Sequence, residues 1–302
     1  DSYTAGQGRT VLHSLPTGYS LDDTRAIRDP RDMIGAQLGA DMHVASCDSA
    51  AVHNLMLAVE RCHLSIEAVV VSPYASGLAV LVEDEQDIGT AVIDMGGGTT
   101  SIAIFDEGRF THTDAIAVGG NHVTTDIARG LTLRLGDAER LKTYYGSCIS
   151  STSDERETVA INQVGDDADH ATHMPKSQLV HIIRPRVEEI LELVLERLNK
   201  AGHSPKAGMR IVLTGGACQL TGMAEAARRI LSPHVRIGRP LGVQGLPESA
   251  KSPAFATAIG LLVFPQVAGL EHFEPRRMRM LATAGAGDGY VARVGRWLRD
   301  SF

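Results

Sequence analysis

The spacing of hydrophobic and polar residues predicts alternating strands and helices along the chain. Apolar-rich runs at residues 89–94, 101–105 and 211–213 predict short buried strands. From Gln178 to Asn199, apolar residues recur every three or four positions, which is the period of an amphipathic helix. Pro185 is expected to kink or break that helix near its start. This alternation is typical of an α/β fold.

Weaker patterns divide the rest of the chain. Strand-like runs in residues 1–46 flank a loop rich in Arg, Asp and Pro. Residues 47–88 are expected to hold two helices around a strand at Ala68–Val71. A polar insert at Ser147–Thr172 predicts a hairpin or loop. A run of small residues at Pro253–Val263 predicts a helix suited to close packing.

The most informative segment joins two predicted strands through a run of glycines. Because glycine has no Cβ atom, such a loop lets backbone N–H groups point into a concave anion site. A carboxylate at the end of the strand can hold a hydrated Mg²⁺ that neutralises phosphate oxygens. The sequence therefore predicts a nucleoside triphosphate site here, with Asp94 holding Mg²⁺ through water, although an ordinary glycine-rich turn is the alternative. The residues of this loop are Asp94, Gly96, Gly97, Gly98 and Thr99.

A second buried strand also runs into small residues, which are Gly215, Gly216 and Ala217. Two strand–glycine loops, each opening its own unit, suggest a duplicated arrangement that clamps a nucleotide. The second loop is expected to face the nucleoside. A P-loop is excluded because GxxxxGK[ST] does not occur, and no GxGxxG follows a strand and opens a helix.

A charged helical turn lies between the two loops. Glu139 and Lys142 are three positions apart, which places both on one face of a helix. A carboxylate and an ammonium there could hydrogen-bond ribose hydroxyls and flank the base. The alternative is a solvated surface ion pair.

The order of these motifs resembles the FtsA family of the actin-like ATPase superfamily. The D-x-GGGT loop is followed by a turn at Gly119 and Gly120, the ERLK helix and the TGGA loop. Residues 256–262 add a further matching segment, and the resemblance covers nearly the whole chain. It implies two lobes of mixed sheets flanked by helices, a small α+β insert domain, and ATP with Mg²⁺ as ligands. It also places Gly119 and Gly120 near the phosphates.

The resemblance further implies a division into subdomains. The D-x-G-[ST] hairpin that begins actin-like folds does not occur before residue 94, so the sequence is expected to be a piece lacking the beginning of such a fold. The implied parts are residues 1–46 of the insert domain 1C, 47–88 and 250–265 of lobe 1A, 89–118 and 202–249 of lobe 2A, 119–201 of the helical subdomain 2B, a linker at 266–289 and a membrane-targeting amphipathic helix at 290–302.

The pattern of residues 290–302 supports that last part on its own. Apolar side chains fall on one arc of a helix and three arginines fall opposite. Such a helix suits the interface of a membrane with anionic headgroups, and a terminal helix docked on the protein's own core is the alternative. The apolar arc includes Val291, Val294, Trp297, Leu298 and Phe302, and the basic arc holds Arg293, Arg296 and Arg299.

Composition limits the remaining function classes. A net charge of −7 argues against nucleic-acid binding. A hydrophobic content of 43% in 302 residues can form a substantial core. The four cysteines form no CxxC pair, which is typical of reduced thiols in a cytosolic protein.

As a member of this family, the protein would polymerise on the cytoplasmic face of the bacterial inner membrane, at the division septum. It would anchor the FtsZ ring there as a peripheral membrane protein and recruit later divisome proteins. The resemblance places the FtsZ C-terminal peptide on residues 119–201, with Lys176, Arg184 and Arg186 as candidate cations for its carboxylates.

The resemblance implies at most a weak ATPase, with nucleotide acting mainly as an assembly ligand. The positions that order the attacking water in actin-like ATPases match Ser72 and Ser101 here. A hydroxyl is a poor general base and reaches less far than a carboxylate. An actin-fold ATPase of another class, such as a chaperone, a sugar kinase, or a pilus or rod-shape filament protein, remains the alternative.

Overall fold

The computed structural model describes residue 6 and residues 8–165, 172–205 and 208–270. Strands and helices alternate along much of this length. In chain order they are β1 (Arg9–Leu21), β2 (Thr24–Ile27), β3 (Leu38–Asp48), α1 (Ser49–Glu60), α2 (Ser72–Val80), α3 (Glu83–Ile88), β4 (Thr90–Met95), β5 (Thr100–Asp106), β6 (Arg109–Ile116), α4 (Gly120–Leu131), α5 (Leu135–Tyr145), β7 (Thr158–Ile161), β8 (Thr172–Pro175), α6 (Lys176–Lys200), β9 (Arg210–Thr214), α7 (Met223–Ile230), β10 (Val235–Ile237) and α8 (Ala256–Val267).

The first strands form an antiparallel sheet in the order β2-β1-β3. Leu12 of β1 packs with Val52 and Met56 of α1 in a small apolar core. Asp48 ends β3 and caps α1, because its carboxylate accepts N–H groups of the first helical turn. The strand-like runs predicted in residues 1–46 are therefore confirmed as strands of one sheet.

The central sheet has the strand order β10-β9-β4-β5-β6. In its middle, β4 is parallel to β9 and antiparallel to β5. Side chains of β4 alternate between two apolar cores, with Ala91, Ile93 and Met95 on one face and Val92 on the other. Because both faces are covered, apolar residues can occupy consecutive positions of this strand.

The helix α6 is continuous through Pro185, so of the two expected effects of this proline, a kink or a break, the break is wrong. Proline removes one backbone hydrogen bond and costs about 3 kcal/mol or more inside a helix. Ile183 and Val187 on either side are fully buried in the larger core. Burial of each such side chain contributes about 1.5–3 kcal/mol, which offsets that cost.

The strand predicted at Ala68–Val71 is also wrong, because residues 64–71 have no regular secondary structure. The N–H of Val71 donates to Nε2 of His13 at 3.0 Å. A run of β-forming residues becomes a strand only where a partner strand is beside it. In the insert predicted at Ser147–Thr172, β7 pairs antiparallel with β8, which begins at the last residue of the insert.

The small residues near the end of the described chain allow two helices to touch. The predicted helix is confirmed as a short 3-10 turn at Pro253–Phe255 followed by α8. A Cβ atom added at Gly260 would meet the backbone of Ala75 in α2, closer than the 3.0 Å that real Cβ atoms keep. This close approach places α2 and α8 together beside the end of β4.

Within the described residues, no helix is long and apolar enough to cross a lipid bilayer. The predicted membrane-targeting helix at residues 290–302 lies outside the described residues, as does most of the predicted linker. The first two linker positions, 266 and 267, belong to α8.

Candidate functional site

The two glycine loops lie at the same edge of the central sheet. Each follows one of two neighbouring parallel strands, β4 and β9, and Asp94 lies opposite Thr214 in the register. Because the carboxyl ends of parallel strands meet at one edge, the loops that follow them converge. The two loops are therefore neighbours, and their binding of one ligand stays a prediction.

The first loop is braced by the start of α4. Its turn is closed by a hydrogen bond from the N–H of Gly96 to the carbonyl of Thr99, at 2.9 Å. The N–H groups of Gly120 and Asn121 donate to the carbonyls of Gly96 and Gly97, at 2.9 and 2.8 Å. These bonds satisfy N–H groups that a helix cannot pair internally. The loop and the helix therefore hold each other in place.

Two of the predicted glycines are required by this geometry. A Cβ atom at Gly119 would lie 2.6 Å from the carbonyl oxygen of Gly96 and 2.7 Å from that of Gly97. Gly215 has a φ of +84°, and a Cβ atom there would collide with the carboxylate of Asp94. Both glycines thus serve close backbone approach between the parts of the site.

Asp94 is buried and connects β4 to two helices. Its Oδ2 accepts a hydrogen bond from Ser76 of α2 at 2.5 Å and another from Thr257 of α8 at 2.9 Å. The side chain is only 7% exposed. Two hydroxyl groups therefore fix the orientation of this carboxylate.

Glu139 and Lys142 form the predicted ion pair on α5, with 2.7 Å between Nζ and Oε2. The pair is more than a solvated surface contact, because the Lys142 side chain is only 15% exposed and also bonds to Gly120 O and Thr124 Oγ1. Burial alone would raise the pKa of Glu139, but hydrogen bonds from Lys142 and Thr124 outweigh it and lower that pKa. Glu139 is therefore ionised at neutral pH.

These elements surround a cavity of about 490 Å³. Its size falls within the roughly 300–1,000 Å³ of small-molecule sites. It brings together seven of the twelve predicted nucleotide-site residues, while Asp94, Gly98, Thr99, Gly119 and Gly215 lie outside its lining. The seven in the lining are Gly96, Gly97, Gly120, Glu139, Lys142, Gly216 and Ala217.

Several lining residues were not predicted from the sequence. Val187 and Ile190 of α6 contribute apolar wall, although their periodicity indicates burial and gives no sign of a cavity. Asn121 could have been found, because a polar residue directly follows the Gly119–Gly120 turn. Thr143 and Gln219 carried no signal in the sequence.

The predicted cations for a partner peptide lie along the first half of α6, and each is already paired. Lys176 binds Glu157 at 2.8 Å and lies 3.6 Å from Asp154. Arg184 pairs with the Glu188 carboxylate at 2.7 Å and is 44% exposed.

Arg186 is held more firmly than the other two cations. It bonds Asp126 of α4 at 2.5 Å and also contacts Glu189. The hydrogen bond to Asp126 raises the pKa of this guanidinium. Its effect is larger than that of burial, which lowers the pKa. Arg184 is therefore the most available of the three to a partner.

Comparison with known sequences identifies the family. Cell division protein FtsA of Agrobacterium fabrum is 55% identical over 297 residues, which are 98% of this chain and 67% of that protein. The chain belongs to the FtsA family. The family model described as cell division protein FtsA matches residues 91–260, and the model of the SHS2 domain inserted in FtsA matches residues 1–46.

More distant FtsA proteins match over the same extent. FtsA of Escherichia coli K12 is 34% identical over 299 residues, which cover 97% of this chain and 70% of that protein. The chain thus spans about two thirds of the length of these FtsA relatives. The expected family is confirmed, and with it a role in cell division.

Solved structures confirm the actin-like ATPase fold of this FtsA chain. MreB5 of Spiroplasma citri bound to ADP superposes with a TM-score of 0.55 at 19% identity, covering 73% of this chain and 65% of that one. The PilM–PilN type IV pilus biogenesis complex gives 0.55 at 20% identity over 77% and 62% of the two chains. The MamK double helical filament gives 0.52 at 17% identity over 71% and 65%.

Proposed function

We propose that this chain binds ATP in the cavity between the two glycine loops and acts as an assembling adaptor in cell division. The observation that supports this most is the shared lining, because one cavity collects both glycine loops and the Glu139–Lys142 pair. A nucleotide needs these three chemistries together: backbone donors for phosphates, a carboxylate for ribose hydroxyls, and apolar wall for the base.

The residues present fit a nucleotide in a definite orientation. Gly97 would hold the phosphates, while the N–H of Gly96 closes the turn of the loop, beside the N-terminus of α4, whose dipole favours an anion. Gly216 and Ala217 would face the nucleoside, and Glu139 would accept hydrogen bonds from the ribose. A solved structure of the same fold, MreB5 of Spiroplasma citri bound to ADP, supports the choice of an adenine nucleotide.

Mg²⁺ would be held mainly by the phosphates and water. The described residues contain no group of three His, Cys, Asp or Glu side chains that could hold a metal ion. Mg²⁺ commonly binds through carboxylates, phosphates and waters, and Asp94 would hold it through a water molecule. When bound, the cation neutralises phosphate charge. Ser72 and Ser101 at the water-ordering positions keep turnover weak, so nucleotide serves assembly.

Calorimetric titration of the intact protein with ATP and Mg²⁺ tests this proposal. We expect saturable, one-to-one binding. Titration of the Glu139→Gln variant serves as the internal comparison, since it keeps the size of the side chain and removes its charge. An absence of binding heat with the wild-type protein, together with no shift in thermal unfolding on adding ATP, would overturn the assignment.

In the cell, the proposed adaptor forms filaments on the cytoplasmic face of the inner membrane at the division septum. There it anchors the FtsZ ring and recruits later divisome proteins. Membership of the FtsA family supports this role, and a filament built on the same fold supports self-assembly. Anionic lipids would bind the predicted terminal helix at residues 290–302.

Membrane attachment is predicted to be weak for one copy and strong for a filament. Each buried apolar side chain contributes about 1.5–3 kcal/mol, each Arg about 1 kcal/mol near an anionic surface, and ordering the segment into a helix opposes both. Many linked copies then bind with high avidity. Deleting residues 290–302, or Trp297→Glu, should release the protein from anionic liposomes in a co-sedimentation assay.

Ala292→Glu is the matched control for the membrane prediction, because it adds the same charge on the basic face of the helix. It should weaken sedimentation less than Trp297→Glu does. Added salt should weaken binding partly, by screening the arginines. Undiminished sedimentation of the truncated protein would show that membrane attachment lies elsewhere.

The FtsZ peptide is proposed to contact the exposed Arg184 on α6. Arg184→Glu should weaken binding of the peptide by roughly fivefold, about 1 kcal/mol, in fluorescence anisotropy. Lys200→Glu is the matched control, because Lys200 forms the same i,i+4 pair with a glutamate near the other end of α6. Equal effects of the two reversals would place the peptide elsewhere.

A further inference from the structure

Thr124 is a buried hydroxyl between α4 and α5 that the sequence motifs do not single out as a site residue. It is 6% exposed. Its Oγ1 donates to Glu139 Oε2 at 2.5 Å and accepts from Lys142 Nζ at 2.9 Å. Because the acceptor is a carboxylate and the donor an ammonium, both bonds belong to the strong, charge-assisted class. The hydroxyl therefore connects the two charges of the pair.

The ammonium of Lys142 is fully used inside the protein. A lysine offers three N–H donors, and this one reaches three acceptors: Gly120 O at 3.2 Å, Thr124 Oγ1 at 2.9 Å and Glu139 Oε2 at 2.7 Å. In this arrangement of the described residues, no donor remains for a ligand. Lys142 thus links α4 to α5 through its hydrogen bonds.

Glu139 is left as the group that faces the ligand. Both Thr124 and Lys142 bond to Oε2, and Oε1 accepts no hydrogen bond from the described residues. The side chain is 50% exposed and lines that cavity. A carboxylate held on one oxygen presents the other in a fixed direction, so little ordering is required when a hydroxyl group binds to it.

We propose that Thr124 is a positioning residue that orients Glu139 to recognise the ribose hydroxyls, while Lys142 links α4 to α5. This inference rests on the proposed binding of ATP in the same cavity. It makes the ribose diol a specificity determinant, because a nucleotide without these hydroxyls leaves the aimed carboxylate unpaired. Loss of the Thr124 hydroxyl removes one of the two hydrogen bonds that orient the carboxylate and reduces this discrimination.

Binding of ATP and of 2′,3′-dideoxy-ATP to the intact protein, measured by calorimetry, tests the proposal. We expect the wild-type protein to prefer ATP by on the order of tenfold or more, the value of a lost hydrogen bond to a charged group. Thr124→Val should bring this ratio to within about threefold of unity. Thr124→Ser should restore it. Thr125→Val is the matched control, because within the part of the chain that the structure describes the neighbouring hydroxyl bonds only the Asn121 carbonyl of its own helix.

The ratio of the affinities for ATP and dideoxy-ATP distinguishes a positioning role of Thr124 from a role in stability. A general loss of folded protein lowers both affinities by the same factor and leaves their ratio unchanged. Thr124→Ala gives the same test if the valine variant does not fold. A Thr124→Val protein that keeps the wild-type ratio overturns the inference and leaves ATP binding intact. Equal binding of both nucleotides by the wild type also overturns it. If the wild type binds neither nucleotide, the proposed function itself fails.

Discussion

Replacing Gly97 by valine should abolish ATP binding by the intact protein. Gly97 lines the cavity, and a Cβ atom there would lie 3.2 Å from both terminal atoms of the Asn121 side chain. Valine adds two more carbon atoms beyond that position, which would occupy the space proposed for phosphate and block approach to the loop amides. We expect affinity to fall on the order of a hundredfold or more in calorimetry, about 3 kcal/mol.

Gly136→Val is the matched control for this substitution. Gly136 is on the exposed surface of α5, and a Cβ atom there meets nothing within 4 Å. The same side chain is added to the same domain without reaching the cavity, so ATP affinity should be retained. Wild-type affinity in the Gly97→Val protein would rule out the first glycine loop as the phosphate site.

Replacing Gly260 by alanine should disrupt the packing of α2 against α8 and destabilise the protein. The added Cβ atom would enter the backbone of Ala75, and backbone cannot move aside as the end of a flexible side chain can. Overpacking of this kind costs roughly 1–3 kcal/mol or more. Chemical denaturation should show a lower midpoint, and ATP binding should weaken, since both helices bond Asp94.

At an open helical position, the same change from glycine to alanine has the opposite effect on the free energy of unfolding. Glycine inside a helix is less favourable than alanine by about 1 kcal/mol. Gly136→Ala, at an open position of α5, should therefore leave stability unchanged or raise it. If Gly260→Ala also raised the free energy of unfolding, α2 and α8 would not be packed this closely.

The sequence predicted best the features that follow from backbone chemistry. Glycines without Cβ atoms mark positions where chain segments touch, so the loops at Gly96 and Gly216 could be predicted to lie at one cavity. The i,i+3 spacing of Glu139 and Lys142 likewise fixes their shared face, since helix geometry determines it.

Features that depend on distant partners could not be predicted in this way. The spacing of Val187 and Ile190 indicates only that they are buried, and the structure places them in the wall of a cavity. The run at Ala68–Val71 has the composition of a strand, but Val71 bonds a histidine side chain instead. Thr124 resembles any helical threonine until α5 packs beside it.

The two hydroxyl bonds to Asp94 have a thermodynamic consequence. Ser76 and Thr257 belong to helices whose backbones touch, and both bond the carboxylate that precedes the first glycine loop. A displacement of these helices therefore stretches bonds at the proposed phosphate site. Linkage is reciprocal. If nucleotide favours one arrangement of the helices by a given factor, that arrangement raises the affinity for nucleotide by the same factor. A neighbouring subunit that contacted α2 or α8 would therefore, through this carboxylate, alter the affinity of the proposed nucleotide site.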